Sequence, residues 1–155
     1  IARSPWAHRI KVICNDFSLF QTDNKYHLIV SNPPYFVDAL NCPDKQRNMA
    51  RHTCELNYEI LFRHSAHLLE DQGRICIIIP TEAEKLVIDT AWKYKLSSSR
   101  RLHVFTKPGK PSRRVLIAFG HQEQKCMEET LCIEVERNQF TPEYIALTRE
   151  FYLKM

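Results

Sequence analysis

The sequence predicts an α/β fold: a mostly parallel sheet with helices on both faces and an antiparallel pair of strands at one edge. Strand-like and helix-like stretches alternate along the chain, which is typical of a parallel sheet. Residues 74–80 carry an apolar run from Ile75 to Ile79, the pattern of a central parallel strand. Two further strand-like stretches, 101–106 and 114–119, flank a short loop containing Pro and Gly, which favours the antiparallel pair.

The remaining elements follow from periodicity and end signals. We predict strands at 10–16, 28–30 and 131–136, and helices at 54–69, 81–95 and 141–151. Gly73 should end the first helix, Thr81 and Glu84 match a capping box, and Thr141-Pro142 should start the last helix. With 155 residues, 44% hydrophobic and 26% charged, residues 1–155 are expected to form a single globular domain.

The most informative stretch follows the apolar run 28–30 after one residue, Ser31, and reads Asn32-Pro33-Pro34-Tyr35. Two prolines fix φ and remove two backbone donors, so they stop the strand and stiffen the chain. Asn32 and Tyr35 should therefore lie on a rigid elbow at the carboxyl end of a strand, where open α/β sheets bind ligands.

The residue types of this elbow suit the alkylation of a weakly nucleophilic NH2 group. The Asn32 side-chain oxygen and the Pro33 carbonyl can accept both hydrogens of such a group and free its lone pair for attack. Tyr35 offers a face on which a planar ring can stack. Asn32-Pro33-Pro34-Tyr35 resembles the catalytic motif of S-adenosylmethionine-dependent amino-group methyltransferases, which modify adenine N6, guanine N2 or a glutamine amide.

The likeness extends over nearly the whole chain. It resembles the bacterial tRNA adenine-N6 methyltransferases that act on the adenosine 3′ to the anticodon of valine tRNA, with a Rossmann-like class I fold. The resemblance implies S-adenosylmethionine as cofactor and tRNA as substrate. It also implies that Asp16 and the Phe17 backbone N–H contact the adenine of the cofactor, with Asn32 near its sulfonium. The scattered cysteines suggest reduced thiols and a cytoplasmic location.

One motif of that family, a Gly-rich turn after the first strand, has no counterpart among the three glycines of the chain. The chain therefore resembles the C-terminal portion of a methyltransferase catalytic domain, with about 60–90 residues of N-terminal strand–helix units missing. The 155-residue chain by itself is accordingly expected to be inactive. It is also expected to self-associate through an exposed sheet edge.

Charge supplies an independent indication of a nucleic-acid partner. The net charge is +4, and no Asp or Glu occurs from Thr90 to Gln122, a stretch with eight Lys and Arg residues. Such clustering indicates phosphate binding, although solvated surface charge is the commoner explanation of a basic run. The candidate substrate-binding residues are Lys107, Arg113 and Arg114, with Arg47 and Arg51 in the loop after the elbow.

Two other functions remain open on the sequence alone. The same elbow serves glutamine-amide N5 methyltransferases, whose substrates are proteins. The chain could also be a non-catalytic RNA-binding fragment. No metal is expected, because the six cysteines are scattered and none forms Cys-x-x-Cys. No apolar stretch approaches the roughly 18 residues of a membrane span.

Overall fold

A computed structural model describes residues 3–33 and 58–152, and its centre is a five-stranded sheet in the order β1-β2-β4-β3-β5. The strands of this sheet are β1 (Tyr26–Ser31), β2 (Leu69–Pro80), β3 (Ser97–Phe105), β4 (Arg114–Gly120) and β5 (Met127–Cys132). A separate two-stranded ribbon joins β6 (Glu134–Glu136) to β7 (Gln139–Phe140). The helices are α1 (58–68), α2 (Glu84–Lys93) and α3 (Pro142–Thr148).

The strand directions confirm the predicted fold class. β1 is parallel to β2, and β3 is parallel to β5, whereas β4 is antiparallel to both of its neighbours. Four strands therefore run one way and β4 alone runs the other. The predicted antiparallel pair is β3–β4, and β5 lies outside it as the edge strand of the sheet.

The core lies on one face of the sheet. Alternate residues of the central strands, Ile75, Ile77 and Ile79 in β2 and Val115, Ile117 and Phe119 in β4, are at most 2% exposed. They form one buried cluster with Phe62 of α1 and with Val87 and Ala91 of α2. The rings of Phe62 and Phe119 meet edge to face with centroids 5.1 Å apart.

The prediction of helices on both faces does not hold for the described residues, because α1 and α2 share this one cluster. Successive strand residues point to opposite faces. Ile29 of β1 faces the core, so its neighbours Leu28 and Val30 lie on the second face of the sheet. Leu28 is 57% exposed and Val30 is 73% exposed. Leu116 of β4, also on the second face, is 38% exposed.

The strand predicted at 10–16 is wrong. This segment is irregular and leads into a 3-10 turn, Phe17–Leu19. Its apolar side chains remain largely exposed, at 44% for Ile10, 69% for Val12 and 49% for Ile13. A strand requires a neighbour for its backbone N–H and C=O groups, and no described strand pairs with this segment.

Gly73 does not end α1, as the sequence suggested, but lies inside β2. Helical structure stops at residue 68, and the β1–β2 register shifts between the pairs Tyr26–Leu69 and Leu28–Arg74. A Cβ on Gly73 would lie 2.7 Å from the Tyr26 carbonyl oxygen and 3.0 Å from the backbone of Glu70. The glycine is therefore needed for a close approach of two backbones.

The other boundary differences involve the caps and the C-terminal third. Thr81 does not cap α2: a 3-10 turn, Thr81–Ala83, precedes the helix, and the Thr81 hydroxyl lies 3.2 Å from the Ser112 hydroxyl. The strand predicted at 131–136 is split into β5, which begins earlier, and β6. Thr141 does cap α3, since its hydroxyl accepts a 3.2 Å hydrogen bond from the Tyr144 N–H. The helix ends at Thr148 rather than at residue 151.

Candidate active site at the carboxyl edge of the sheet

The carboxyl ends of β1, β2, β3 and β5 meet at one edge of the sheet, because these four strands run in the same direction. We call it the carboxyl edge. Asn32 follows β1 there, Thr81 follows β2, and the loop 106–113 connects β3 to β4. Most of the predicted site residues in the described part therefore belong to this edge.

The elbow after β1 has one buried and one exposed residue among those described. Ser31 is paired with Ile77 in the sheet, Asn32 is exposed and Pro33 is buried. A buried proline ring anchors the backbone, and the preceding amide side chain extends at the surface. Pro34, Tyr35, Arg47 and Arg51 lie outside the described residues, so their roles remain predictions.

Asp16 is the N-cap of the 3-10 turn Phe17–Leu19 rather than the end of a strand. Its Oδ1 accepts a 2.8 Å hydrogen bond from the Ser18 N–H, and hydrogen bonds from Ser18 hold the pKa of this carboxyl below its ordinary value. Because Asp16 is exposed and ionised, it retains acceptor capacity for a second donor.

Phe17 fastens the Asp16 turn to the body of the domain. Its ring lies 5.7 Å from the His64 ring of α1, and burial lowers the pKa of His64. Phe17 packs against the same core cluster as Ile29 of β1. The Phe17 side chain of the turn and the Ile29 side chain of β1 therefore lie on the same face of the sheet.

The cations of the basic run, residues 90–122, differ in their surroundings, and several of them form ion pairs. Lys93 pairs with Glu59, Arg100 with Glu129, and Arg101 with both Glu84 and Glu128. Acids that lie outside the acid-free stretch in sequence thus neutralise these three cations in space, and Glu134 lies near a fourth, Lys107. Most of the run away from the carboxyl edge consists of ordinary surface ion pairs.

The loop 106–113 and the first residue of β4 bring further cations of the run to the carboxyl edge. Lys110, Arg113 and Arg114 are exposed, and Lys107 Nζ lies 3.5 Å from Glu134 Oε2. Arg114 pairs with Pro80 at the end of β2, the strand next to β1. With about 4.8 Å between strands and 3.3 Å per residue, the Arg114 and Asn32 backbones lie on the order of 10 Å apart.

Ser112, which the sequence did not single out, fixes this loop. Its hydroxyl oxygen lies 3.0 Å from the Val104 carbonyl and 2.9 Å from the Arg114 carbonyl. The Thr81 N–H also donates to the Arg113 carbonyl at 3.4 Å. The only sequence signal was a Ser after Pro in a turn, which is too common to point to such a role.

The chain resembles curated proteins along its whole length. A tRNA1(Val) (adenine(37)-N6)-methyltransferase of Bacteroides fragilis is 51% identical over 158 residues, which cover 100% of this chain and 67% of that protein. This similarity decides the family. The chain belongs to the tRNA1(Val) (adenine(37)-N6)-methyltransferase family.

Other relatives carry the same name, and a solved structure shares the fold. Proteins of the same name from Bacteroides thetaiotaomicron and Tolumonas auensis are 48% and 40% identical, and the chain spans 65% of each. A predicted O-methyltransferase of Agrobacterium tumefaciens shares the fold with a TM-score of 0.69 and 18% identity, over 92% of this chain and 64% of that one. No protein-family model matches the chain.

Because the chain belongs to a methyltransferase family, the residues at the carboxyl edge are candidates for a role in methyl transfer. The described part supplies an exposed Asn after β1, an ionised carboxylate in a turn against the core, and a fixed basic loop. No group of three or more potential metal ligands occurs among residues 3–33 and 58–152. In the same ranges, no helix is long and apolar enough to cross a membrane.

Proposed function

We propose that this chain carries the target-adenine site of an S-adenosylmethionine-dependent methyltransferase that modifies adenine N6 in tRNA. The observation that carries the proposal is Asn32, exposed on a buried Pro33 at the carboxyl end of β1, in a chain of this family. We further propose that residues 1–155 form a single unit within the catalytic domain and that the protein acts in the cytoplasm.

The protein's contribution to the reaction is mainly placement. The Asn32 side-chain oxygen and the Pro33 carbonyl accept the two hydrogens of the N6 amino group, and Tyr35 stacks on the adenine ring. Both acceptors keep the nitrogen lone pair off the ring and directed at the methyl group. A bound S-adenosylmethionine would supply the methyl group to this nitrogen, and the two acceptors would hold the N6 hydrogens while the nitrogen takes up the methyl group.

The described residues fit the proposed cofactor by their chemistry. S-adenosylmethionine supplies the methyl group as an electrophilic sulfonium. The ionised Asp16 carboxylate has acceptor capacity for an adenine amino group, with the Phe17 backbone N–H beside it. Asn32 supplies the polar group nearest the site of transfer.

Lys107, Arg113 and Arg114 form the proposed contact with tRNA phosphates. We expect the double variant Arg113→Ala/Arg114→Ala to bind tRNA more weakly and with a flatter salt dependence, because phosphate contacts release counterions. The slope of log affinity against log salt should fall by roughly one for each phosphate that the variant no longer neutralises. Fluorescence anisotropy with labelled tRNA over a salt series measures both quantities.

The matched control removes the same charge at the opposite end of the sheet. Lys93→Ala/Lys95→Ala lowers the net charge by the same amount but leaves the carboxyl edge intact, so its salt slope should stay near that of the wild type. Equal slopes for both double variants would contradict a phosphate contact by Arg113 and Arg114. Methyl transfer to a protein glutamine rather than to tRNA would favour the amide methyltransferase instead.

We also propose self-association through β1 whenever its outer edge is left unpaired. In the described part β1 has a strand on one side only, and its Leu28 and Val30 side chains are exposed. An open apolar edge is a template for another chain. Sedimentation velocity of the 155-residue chain should show dimers or larger species at tens of micromolar, and Val30→Lys should shift them toward monomer. A monomer at all concentrations would contradict this proposal.

A further inference from the structure

Two aromatic side chains near the end of the described chain lie outside the core. Phe151 is 86% exposed and Tyr152 is 56% exposed, and both follow α3 closely. Among the large apolar side chains of residues 3–33 and 58–152, Phe151 is the most exposed. Burial within the described domain therefore does not account for an aromatic residue at this position.

The segment that precedes these side chains, residues 140–148, is held by packing and hydrogen bonds. The Tyr144 ring packs against the Phe140 ring of β7 with centroids 5.4 Å apart. A side-chain hydrogen bond with Tyr152 raises the pKa of Tyr144, with a smaller contribution from burial. The Phe151 N–H donates to the Thr148 carbonyl at 2.9 Å, which attaches this segment to the end of α3. Binding on this surface would require little further ordering of the protein.

Backbone hydrogen bonds connect the segment 133–141 to the start of the loop 106–113. The Ile133 N–H donates to the Phe105 carbonyl at 2.8 Å, and the Glu134 N–H donates to the Thr106 carbonyl at 3.1 Å. The Thr141 N–H in turn donates to the Ile133 carbonyl at 2.9 Å. The start of α3 is therefore attached at the carboxyl edge, next to the loop that carries Lys107, Lys110 and Arg113, and Phe151 and Tyr152 follow the end of this seven-residue helix.

Exposed aromatic rings beside a basic surface bind unpaired nucleotides, because every base has a face that stacks and every phosphate a charge that is attracted. We propose that Phe151 and Tyr152 form a stacking platform for an unpaired nucleotide of the tRNA. This inference rests on the proposed function and names a second contact point on its substrate.

The platform is proposed for a nucleotide other than the target adenine. β5 is four strands away from β1 in the sheet order, which corresponds to about 19 Å at 4.8 Å per strand. The target adenine must reach Asn32, whereas the platform follows β5. The two sites would hold different nucleotides of one RNA, with the basic loop between them.

The test separates stacking from phosphate contacts. Phe151→Leu keeps an apolar side chain but removes the ring, so we expect tRNA affinity to fall by about 5- to 100-fold with an unchanged salt slope. Phe151→Trp should retain the affinity, because indole stacks at least as well. In the intact enzyme, Phe151→Leu should raise the KM for tRNA and leave kcat nearly unchanged.

Leu147→Ala is the matched control, since Leu147 is an exposed apolar residue of α3 at 59% but has no ring. Its affinity for tRNA should equal that of the wild type. Unchanged binding by Phe151→Leu would overturn the platform, as would equal losses in Phe151→Leu and Leu147→Ala. A lower melting temperature or an altered oligomeric state of Phe151→Leu, with unchanged RNA affinity, would assign the ring to a protein contact instead.

The outcome is independent of the catalytic proposal. Binding of tRNA is measured without methyl transfer, so a failed Phe151 experiment leaves the role of Asn32 untouched. Conversely, a wild-type enzyme that binds tRNA through Phe151 but methylates only protein would contradict the proposed function alone.

Discussion

Replacing Asn32 with alanine should abolish methyl transfer and leave the fold intact. The side-chain oxygen is one of only two acceptors proposed for the N6 amino group. Loss of one positioned hydrogen-bonding group at a reacting centre costs about 100- to 1,000-fold in rate. Because Asn32 is exposed, its truncation removes little packing. Transfer of a radioactive methyl group from S-adenosylmethionine to tRNA, measured on the intact enzyme, gives the rate.

Asn24→Ala is the control for this prediction, because Asn24 also lies in the described part and precedes β1. Its backbone N–H donates to the Thr22 hydroxyl, an interaction that the substitution retains. We expect wild-type turnover for Asn24→Ala and an unchanged melting curve for both variants. Turnover of Asn32→Ala within a few-fold of the wild type would refute the proposed role of the amide.

The sequence was sufficient to place the centre of the sheet and the elbow. Ile75 to Ile79 form an uninterrupted apolar run, and such a run is typical of a strand in the interior of a sheet. The apolar run 28–30 is followed within three residues by Pro33, whose missing N–H donor forbids further pairing of the strand. Local chemistry therefore fixed the strand end, and the parallel arrangement placed that end beside the others.

The segment 10–16 shows why the same reasoning fails elsewhere. It is rich in apolar and β-branched residues as a strand would be, but a strand also requires a neighbour with free N–H and C=O groups, which no local pattern reveals. The division of the two sheet faces is equally nonlocal. Leu28 and Val30 are as apolar as Ile29, yet only Ile29 packs against α1, α2 and their core.

The sequence shows where the basic residues lie along the chain, but it did not reveal which acids pair with them in the fold. The stretch from Thr90 to Gln122 contains no acid, but the pairing of β3 with β5 places Glu128 opposite Arg101 and brings Glu129 within reach of Arg100. Glu84 of α2 further holds Arg101 at 3.2 Å and His103 at 2.9 Å. Only contacts between distant segments distinguish a paired cation from one presented to phosphate.

The largest loss of stability is expected for Phe119→Ala. Phe119 is 0% exposed in β4 and packs edge to face against Phe62 of α1. Removing a buried Phe side chain costs about 3–5 kcal/mol, because transfer energy is lost and a cavity remains. A domain of this size has about 5–15 kcal/mol of stability in total, so the variant should melt far earlier or fail to fold. Urea unfolding monitored by circular dichroism measures the loss.

Leu116→Ala, three residues earlier on the same strand, tests the asymmetry of the two faces. Leu116 lies on the second face and is 38% exposed, so its truncation should cost about 1 kcal/mol or less in the 155-residue chain. A loss comparable to that of Phe119→Ala would contradict the one-sided core. In the intact enzyme the same substitution becomes more costly if further chain covers Leu28, Val30 and Leu116. A larger cost in a longer chain would thus show that chain outside residues 1–155 covers the second face.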